Sequence, residues 1–466
     1  MSVSSELNNR KTDISEIKLL IQSREFAALR LAFHECDPAE LAELIKDFSE
    51  QEQAVIFRIL PRTLSAETFE YLDFDTQKTL LKGLGQTQVA AILNEMSPDD
   101  RTALLEELPG PAVQQLLALL STEERAIALS LLGYPENSVG RLMTPDYLAI
   151  QSNWTVNDVL TYIRQRGQVS ESFNVLYVTD KQGKLVDDIH IRTLLLAPLE
   201  HKVEELMNYS CVSLSVMDEK ENAIAIFRKY DKVALPVIDS EGFLIGIVTI
   251  DDVMDVVEET DTEDIQKFGG LDALDDAYMS TPLLEMIKKR ARWLVILFLG
   301  EMLTATAMAF FQDEIAKAVV LALFLPLIIS SGGNSGSQAA TLIVRAMALG
   351  EIKLRDWWKV FRRELISGVA LGAILGTIGF VRIAAWNHFF HSYGQHWILV
   401  GLTVGVSLIG VVLWGSLSGS MLPFVMKKLG ADPAASSAPF VATLVDVTGL
   451  VIYFTVAAIF MRGILL

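Results

Sequence analysis

The strongest constraint on this chain lies in its last third. Residues 281–466 hold charge-poor apolar stretches long enough to cross a bilayer, which takes ~20 helical residues. In hydrocarbon every backbone N–H and C=O must be paired internally, so stretches of this kind fold as helices. Read in order they place spans at 293–311, 318–344, 365–381, within 397–426 and within 433–461. Glu301 falls inside the first, and Asp446 is the only charge of the fifth. Basic residues gather at alternate ends. Lys288, Lys289, Arg290 and Arg292 precede span 1, and Lys427 and Lys428 follow span 4. Arg345, Lys353, Arg355, Lys359, Arg362 and Arg363 lie between spans 2 and 3. By the positive-inside rule the N-terminal head is cytoplasmic and the C-terminus outside, a parity that five spans satisfy.

The charge balance separates head from membrane part. Residues 281–466 carry 9 acidic and 15 basic side chains, whereas residues 1–280 carry 49 acidic and 24 basic. An acidic head argues against nucleic acid as a partner, because phosphate backbones select basic patches. The two cysteines, Cys36 and Cys211, are far apart and suggest no disulfide framework. The opening MSVSSELNNRKTD has no apolar core and does not read as a signal peptide.

Residues 38–134 repeat with a period of 24, the phrases starting at Phe48, Leu72, Met96 and Leu120. Each sets Ser or Asp second (Ser49, Asp73, Ser97, Ser121), as a helix N-cap requires. Each then places apolar residues at Phe57, Leu81, Leu105 and Leu129, and at Leu60, Leu84, Leu108 and Leu132. Pro or Gly follows at 61, 85, 109 and 133. A unit of two short helices cannot bury a face alone, so the units stack into a helical solenoid over 1–136. It serves either as a scaffold or as a regulatory domain.

Residues 137–255 change to strands alternating with helices. VALPVIDSEGFLIGIVTIDDVMDVV, from Val233, reads as two strands joined at Ser240-Glu241-Gly242 and followed by an amphipathic helix. NVLYVTDKQGKLVDDIHIRTLLLA, from Asn174, has the same layout. The duplication resembles a tandem pair of cystathionine-β-synthase-type (CBS) domains, at 137–200 and 201–260. Such pairs bind adenosine nucleotides or other ligands, so ATP is a candidate ligand. In the second copy Thr249 and Asp252 sit where a ribose is often held, or else form a plain N-cap. The first copy has Asp187-Asp188 where a Gly-hydrophobic pair is usual. Carboxylates then crowd residues 251–276, either as a solvated face or as a divalent-cation sensor ahead of the membrane.

Two membrane segments break the apolar pattern. PLIISSGGNSGSQAATL, from Pro326, puts three Gly, Asn334 and Gln338 at membrane depth. Small residues there allow close helix approach or line a cavity. PFVATLVDVTGLVIYF, from Pro439, holds Asp446 mid-span, and an intramembrane carboxylate is costly enough that it normally faces a pathway or a partner.

The order of these parts, a helical N domain, a CBS pair, an acidic connector, GGNSGSQA and PFVATLVDVTG, resembles the MgtE-type magnesium transporters. The resemblance implies a homodimeric Mg²⁺ channel with its pore between subunits, closed by the cytosolic domains when internal Mg²⁺ is high. Asp446 would be the selectivity carboxylate, and an acidic connecting helix (261–290) would run from about Glu263 into span 1 of a five-helix membrane domain (291–466). Pore-lining candidates are Gly332, Gly333, Asn334, Gly336 and Gln338 on span 2, with Ala442, Thr443 and Gly449 on span 5.

The residues themselves agree with this picture. Mg²⁺ keeps several of its waters and takes one or two carboxylates, and two Asp446 side chains about one axis would suit that. The span cores lack His and Cys, against a soft-metal site. The chain holds neither G-x-x-x-x-G-K-[ST] nor H-E-x-x-H, so it is not read as an enzyme. Candidate regulatory ligands are Asp99, Asp100, Glu219, Glu221, Asp231, Asp251, Asp252, Glu263 and Asp264. Rival readings are a carrier of Mn²⁺ or Co²⁺, or a membrane-bound nucleotide sensor. The expected location is the inner (plasma) membrane.

Overall fold

A computed structural model of the protein describes residues 14–461 apart from 35, 168–169, 275–277, 280 and 318. The polar stretch 1–13, and Asp275 and Asp276 of the acidic run, lie outside the described residues. The chain forms two compact units, Met1–Glu258 and Glu259–Leu466.

In the first unit the period of 24 becomes paired short helices. Glu50–Ile59, Phe74–Gly83, Pro98–Glu106 and Thr122–Leu131 carry the repeated phrases, alternating with Arg62–Glu70, Gln86–Glu95 and Gly110–Leu117. Three of the four expected caps form by side-chain hydrogen bonds, and Ser97 stands at its N-cap position without one. Ser49 and Glu52 make a reciprocal capping box, Asp73 Oδ1 accepts from Thr76 N at 3.0 Å, and Ser121 Oγ from Glu124 N at 3.1 Å. A second ladder runs at the same period. Gln53 donates to Ile45 O and Phe48 O, Gln77 to Phe69 O, and Arg101 to Leu93 O and Met96 O. These buried side chains add hydrogen bonds to carbonyls at or just past the ends of the preceding helices. A third joins successive units, as Lys46 pairs with Asp73, Glu70 accepts from Ser97 N, and Asn94 accepts from Ser121 N. Phe57 and Leu105 are buried as expected, whereas Leu129 is 51 % exposed and the last unit buries Leu131 in the core of the second CBS domain instead.

The duplicated middle folds into two matching three-stranded sheets. In each, the first strand runs parallel to the second and the second antiparallel to the third: β1 (Ala149–Gln151), β2 (Val175–Thr179), β3 (Leu185–His190), then β4 (Leu214–Ser215), β5 (Ala234–Ile238), β6 (Leu244–Thr249). Both hairpins turn on an Asp that accepts from two backbone N–H groups, Asp180 and Asp239. The tips meet across the pair, with Leu185 N donating to Gly242 O and Leu244 N to Gly183 O.

Asp187 has a structural explanation. It opposes Val178, as Gly246 opposes Val237 in the second copy. At Gly246 a Cβ would come 2.8 Å from Met143 Sδ and 2.9 Å from Thr144 O, so that glycine admits the opening segment. In the first copy the corresponding segment is instead held by a charge. Asp187, fully buried, accepts from Asn208 N at 2.7 Å and Tyr209 N at 2.9 Å. Its neighbour Asp188 pairs with Lys232 at 2.8 Å.

The connecting helix departs from expectation. It runs over Ile250–Phe268, starting directly at β6, and stops before the membrane at Gly269 and Gly270, the latter with φ +77°. Left-handed glycine ends helices without a Cβ penalty, and Pro282 then caps a new helix, so the expected continuous run from Glu263 into span 1 is broken.

Among the described residues, the second unit contains five helices long and apolar enough to cross a membrane: Leu283–Phe310, Val319–Ala348, Leu354–Phe390, Trp397–Lys428 and Ala438–Met461. Spans 1 and 3 extend well beyond their apolar centres and carry the flanking basic residues within the helices. Close packing of spans 2 and 4 rests on small residues. A Cβ on Gly415 or Gly419 would overlap the carbonyl oxygen of Gly332 or Gly336, and Ser335 Oγ lies 2.7 Å from Ser416 Oγ.

Candidate functional site

Asp446 sits eight residues into the span 5 helix, half-buried, on a face that the chain's own helices cover incompletely. Gly333 of span 2 lies against it; a Cβ there would stand 3.6 Å from Ala442 Cβ and 4.0 Å from Asp446 Oδ1. Glu301 of span 1 lies within hydrogen-bonding reach of the Asp446 carboxyl, so the two acids of the membrane region are neighbours. Thr443 faces span 1, where it approaches Gly300. On span 2, Ser330, Asn334, Gln338 and Thr341 are exposed at helical spacing, forming one polar stripe at membrane depth. Asn334 Nδ2 donates to Ser330 Oγ at 3.5 Å.

The pore-lining candidates therefore divide. Asn334 and Gln338 are exposed and Ala442 and Thr443 half-buried on the incompletely covered face, while Gly333, itself buried, packs beside Ala442 and Asp446. Gly332, Gly336 and Gly449 do not. They are buried between spans 2, 4 and 5, where a Cβ would come 2.7 Å from Val445, 2.7 Å from Val441 and 3.1 Å from Val411 respectively. These glycines hold the helices together rather than face the open side.

A second concentration of carboxylates lies in the first unit. Asp99 and Asp100 occupy the first turn of Pro98–Glu106, and Asp251 and Asp252 the first turn of the connecting helix. The fold brings them together with Glu70, Glu171 and Asp255. Helix N-termini favour anions, yet burial and the charges of neighbouring acids win. Burial, with Asp252 and Asp100 nearby, holds Asp99 well above the ordinary carboxylate range. Burial and Glu70 push Asp100 up to about 8. Burial raises Glu70 to about 7 and Asp252 to about 6. Asp99 Oδ1 is buried with no hydrogen-bond partner among the described residues. The charge is thus held unfavourably. Among the described residues no three His, Cys, Asp or Glu side chains stand close enough to enclose a metal ion within one chain.

The remaining candidate ligands are dispersed. Glu219 precedes the helix Lys220–Tyr230 and Asp231 follows it, so ~16 Å of helix separates them, and Glu221 is exposed near the first end. Glu263 and Asp264 lie near the other end of the connecting helix, where Lys267 pairs with Glu263 and Asp432. Thr249 and Asp252 form a helix cap, Asp252 Oδ2 accepting from Thr249 N at 3.2 Å and Thr249 Oγ1 at 2.5 Å. Glu70, Glu171 and the Glu301–Asp446 contact escaped the sequence reading. Glu70 shares its repeat position with Lys46 and Asn94, a signal the period of 24 contains; nothing local marks Glu171.

The fold and these sites define a multi-pass membrane protein with an acidic head. Family models match in the same order: an MgtE intracellular N domain at 36–137, CBS domains at 139–200 and 203–259, and a divalent cation transporter domain at 325–456. The chain belongs to the MgtE family of magnesium transporters. It is 37 % identical to the magnesium transporter MgtE of Thermus thermophilus over 95 % of this chain and 97 % of that protein. It is 28 % identical to that of Bacillus subtilis, over 97 % and 98 %. The head is similar to the crystal structure of the cytosolic domain of the Mg²⁺ channel MgtE in complex with ATP. That match has 33 % identity and a TM-score of 0.50, and covers 52 % of this chain and 99 % of that one.

Proposed function

We propose that the chain forms a homodimeric Mg²⁺ channel in the plasma membrane that admits Mg²⁺ to the cytoplasm and is closed by Mg²⁺ bound to its cytosolic head. The observation that carries this reading is Asp446, a carboxylate at membrane depth beside a polar stripe that one chain leaves open. A second copy across that face would place two Asp446 carboxylates about one axis, with Asn334 and Gln338 nearby to meet the waters of a hydrated ion. Such a site suits a hard divalent ion that keeps its hydration shell. With the head cytoplasmic, the membrane potential favours entry by ~4.6 kcal/mol per 100 mV for a doubly charged ion.

Gating is assigned to the carboxylates around Asp99, Asp100 and Asp252, with Asp251, Glu70 and Glu171. Without cations they repel, and the head loosens. With Mg²⁺ among them the repulsion is relieved, and the compact head holds the connecting helix in its closed position. Glu219, Glu221 and Asp231 are assigned at most to separate sites, such as contacts with a second copy.

Mg²⁺ influx into liposomes holding the purified protein tests the reading, with Mn²⁺ and Co²⁺ as competitors. Asp446→Asn, which keeps size and loses charge, should abolish influx while expression and oligomeric state stay unchanged. Retained influx removes Asp446 from the pathway, and preferential flux of Mn²⁺ or Co²⁺ replaces Mg²⁺ as the cargo.

A further inference from the structure

We propose that Glu301 of span 1 is a second carboxylate of the ion pathway and sets how strongly the site at Asp446 holds a divalent cation. The proposal rests on the pathway reading of Asp446 and gives a role to the acid beside it. The position of Glu301 follows from the register of two helices. Trp293, where the apolar part of span 1 begins, donates from Nε1 to Ser437 Oγ at 3.2 Å, just before the span 5 helix starts at Ala438. Further along, Gly300 faces Thr443 so closely that a Cβ at 300 would stand 2.9 Å from Thr443 Cγ2. The two helices therefore run level. Glu301 lies eight residues beyond Trp293 and Asp446 eight beyond Ala438, each about 12 Å along its helix, and the two carboxyls come within hydrogen-bonding reach.

A carboxylate at this depth is costly unless a positive charge answers it. Residues 293–311, 318–344 and 438–461 hold no Lys or Arg, so none of these stretches supplies that charge. A passing cation does. Thr304 adds an independent sign. It stands one turn beyond Glu301 on the same helical face, is 8 % exposed, and its hydroxyl has no hydrogen-bond partner among the described residues. Thr341, Thr443 and Thr448 instead turn their hydroxyls back to the carbonyl four residues earlier. A buried hydroxyl left over near two acids keeps both its donor and its acceptor for the water shell of an ion.

What Glu301 contributes is charge rather than shape. In the dimer proposed above it adds two carboxylates to the pair of Asp446 side chains. The Coulomb attraction scales with the product of the charges, so each added carboxylate draws a divalent ion about twice as strongly as a monovalent one. Glu301 thereby raises the affinity of the site for Mg²⁺ and its preference over Na⁺ and K⁺.

The test is Glu301→Gln in the full-length protein in liposomes, which keeps the length of the side chain and a hydrogen bond to Asp446 while removing the charge. The Mg²⁺ that half-saturates influx should rise by about tenfold, equivalent to 1.4 kcal/mol of lost attraction. The Mg²⁺ needed to suppress Na⁺ flux should rise with it, while melting temperature and oligomeric state stay unchanged. Glu301→Asp should restore most of the affinity. A role in packing alone gives the opposite pattern, an altered melting temperature with unchanged half-saturation, and that result overturns the proposal. A second measurement asks whether position 301 meets water, because Glu301 and Thr443 also border an apolar groove with Leu294, Leu297 and Phe298. With Cys36→Ser and Cys211→Ser in place, Glu301→Cys should react with a charged, water-soluble thiosulfonate, and Mg²⁺ should slow the reaction. A thiol that stays unmodified, as one facing lipid would, or that Mg²⁺ does not protect, also overturns the proposal. Should Asp446→Asn conduct Mg²⁺ normally, the pathway reading of Asp446 fails, and the protection of the thiol by Mg²⁺ still decides whether Glu301 lies on a cation route.

Discussion

Asp100 offers a test of the cation-sensing cluster that needs no transport measurement. Its carboxyl is raised from 3.8 to about 8 by burial and by the charges of Glu70, Asp252, Glu171 and Asp255. A carboxyl raised on folding binds its proton more tightly in the native state, so native stability falls as pH rises from its unfolded value towards its folded one. The penalty is absent well below the ordinary carboxylate range and complete above about pH 8. Between about pH 6 and 8, Asp100 alone should cost the metal-free head about 2 kcal/mol. Glu70, raised to about 7 chiefly by burial, deepens the loss. The assay is amide exchange over Pro98–Glu106 and Ile250–Glu258 in the full-length protein, corrected for intrinsic rates. Protection should fall by about 30-fold between those pH values without Mg²⁺, the equivalent of 2 kcal/mol at a factor of ten per 1.4 kcal/mol. Added Mg²⁺ should flatten the dependence, and Asp100→Asn should raise protection near pH 8 and reduce the slope. Protection that stays level or rises with pH in the metal-free protein refutes the reasoning, because it would mean the carboxylates are not held against their charge.

Three further outcomes follow from the same geometry. Proteolysis of the head should slow between zero and ~10 mM Mg²⁺, the range of weak, flexible carboxylate sites, and neutralising Asp99, Asp100 and Asp252 together should remove the effect. Gly336→Leu should lower the yield of folded protein by thermal-melt and size-exclusion criteria, since its side chain must displace Val441 and the Gly415 carbonyl. Asn334→Leu, on the exposed stripe, should leave yield intact and reduce Mg²⁺ influx at least severalfold; normal influx would detach the stripe from the pathway.

Much of this protein is legible along the chain because the relevant physics is local. An apolar run of membrane length has few ways to satisfy its backbone, so the five spans could be read from composition. The solenoid announced itself by its period and its caps, and the duplicated hairpins by their matching Asp turns. Even Asp446 stood out, since a carboxylate among apolar residues is costly wherever it is placed.

What the sequence left open was decided by contacts between residues far apart in the chain. Gly332 and Gly333 are identical, adjacent and both buried, yet one packs against Val411 and Val445 and the other against Ala442 and Asp446. Helical rotation puts neighbours on different faces, and which face meets which helix is a property of the bundle. The acidic run showed an abundance of candidate ligands without saying which of them meet. Asp99 and Asp252, 153 residues apart, converge with Glu171 because two helix starts are packed together. Glu219 and Asp231, only twelve residues apart, are held separate by the helix between them. Composition sets the total charge, but an interaction between charges depends on their separation and on the solvent excluded between them, and both arise only on folding.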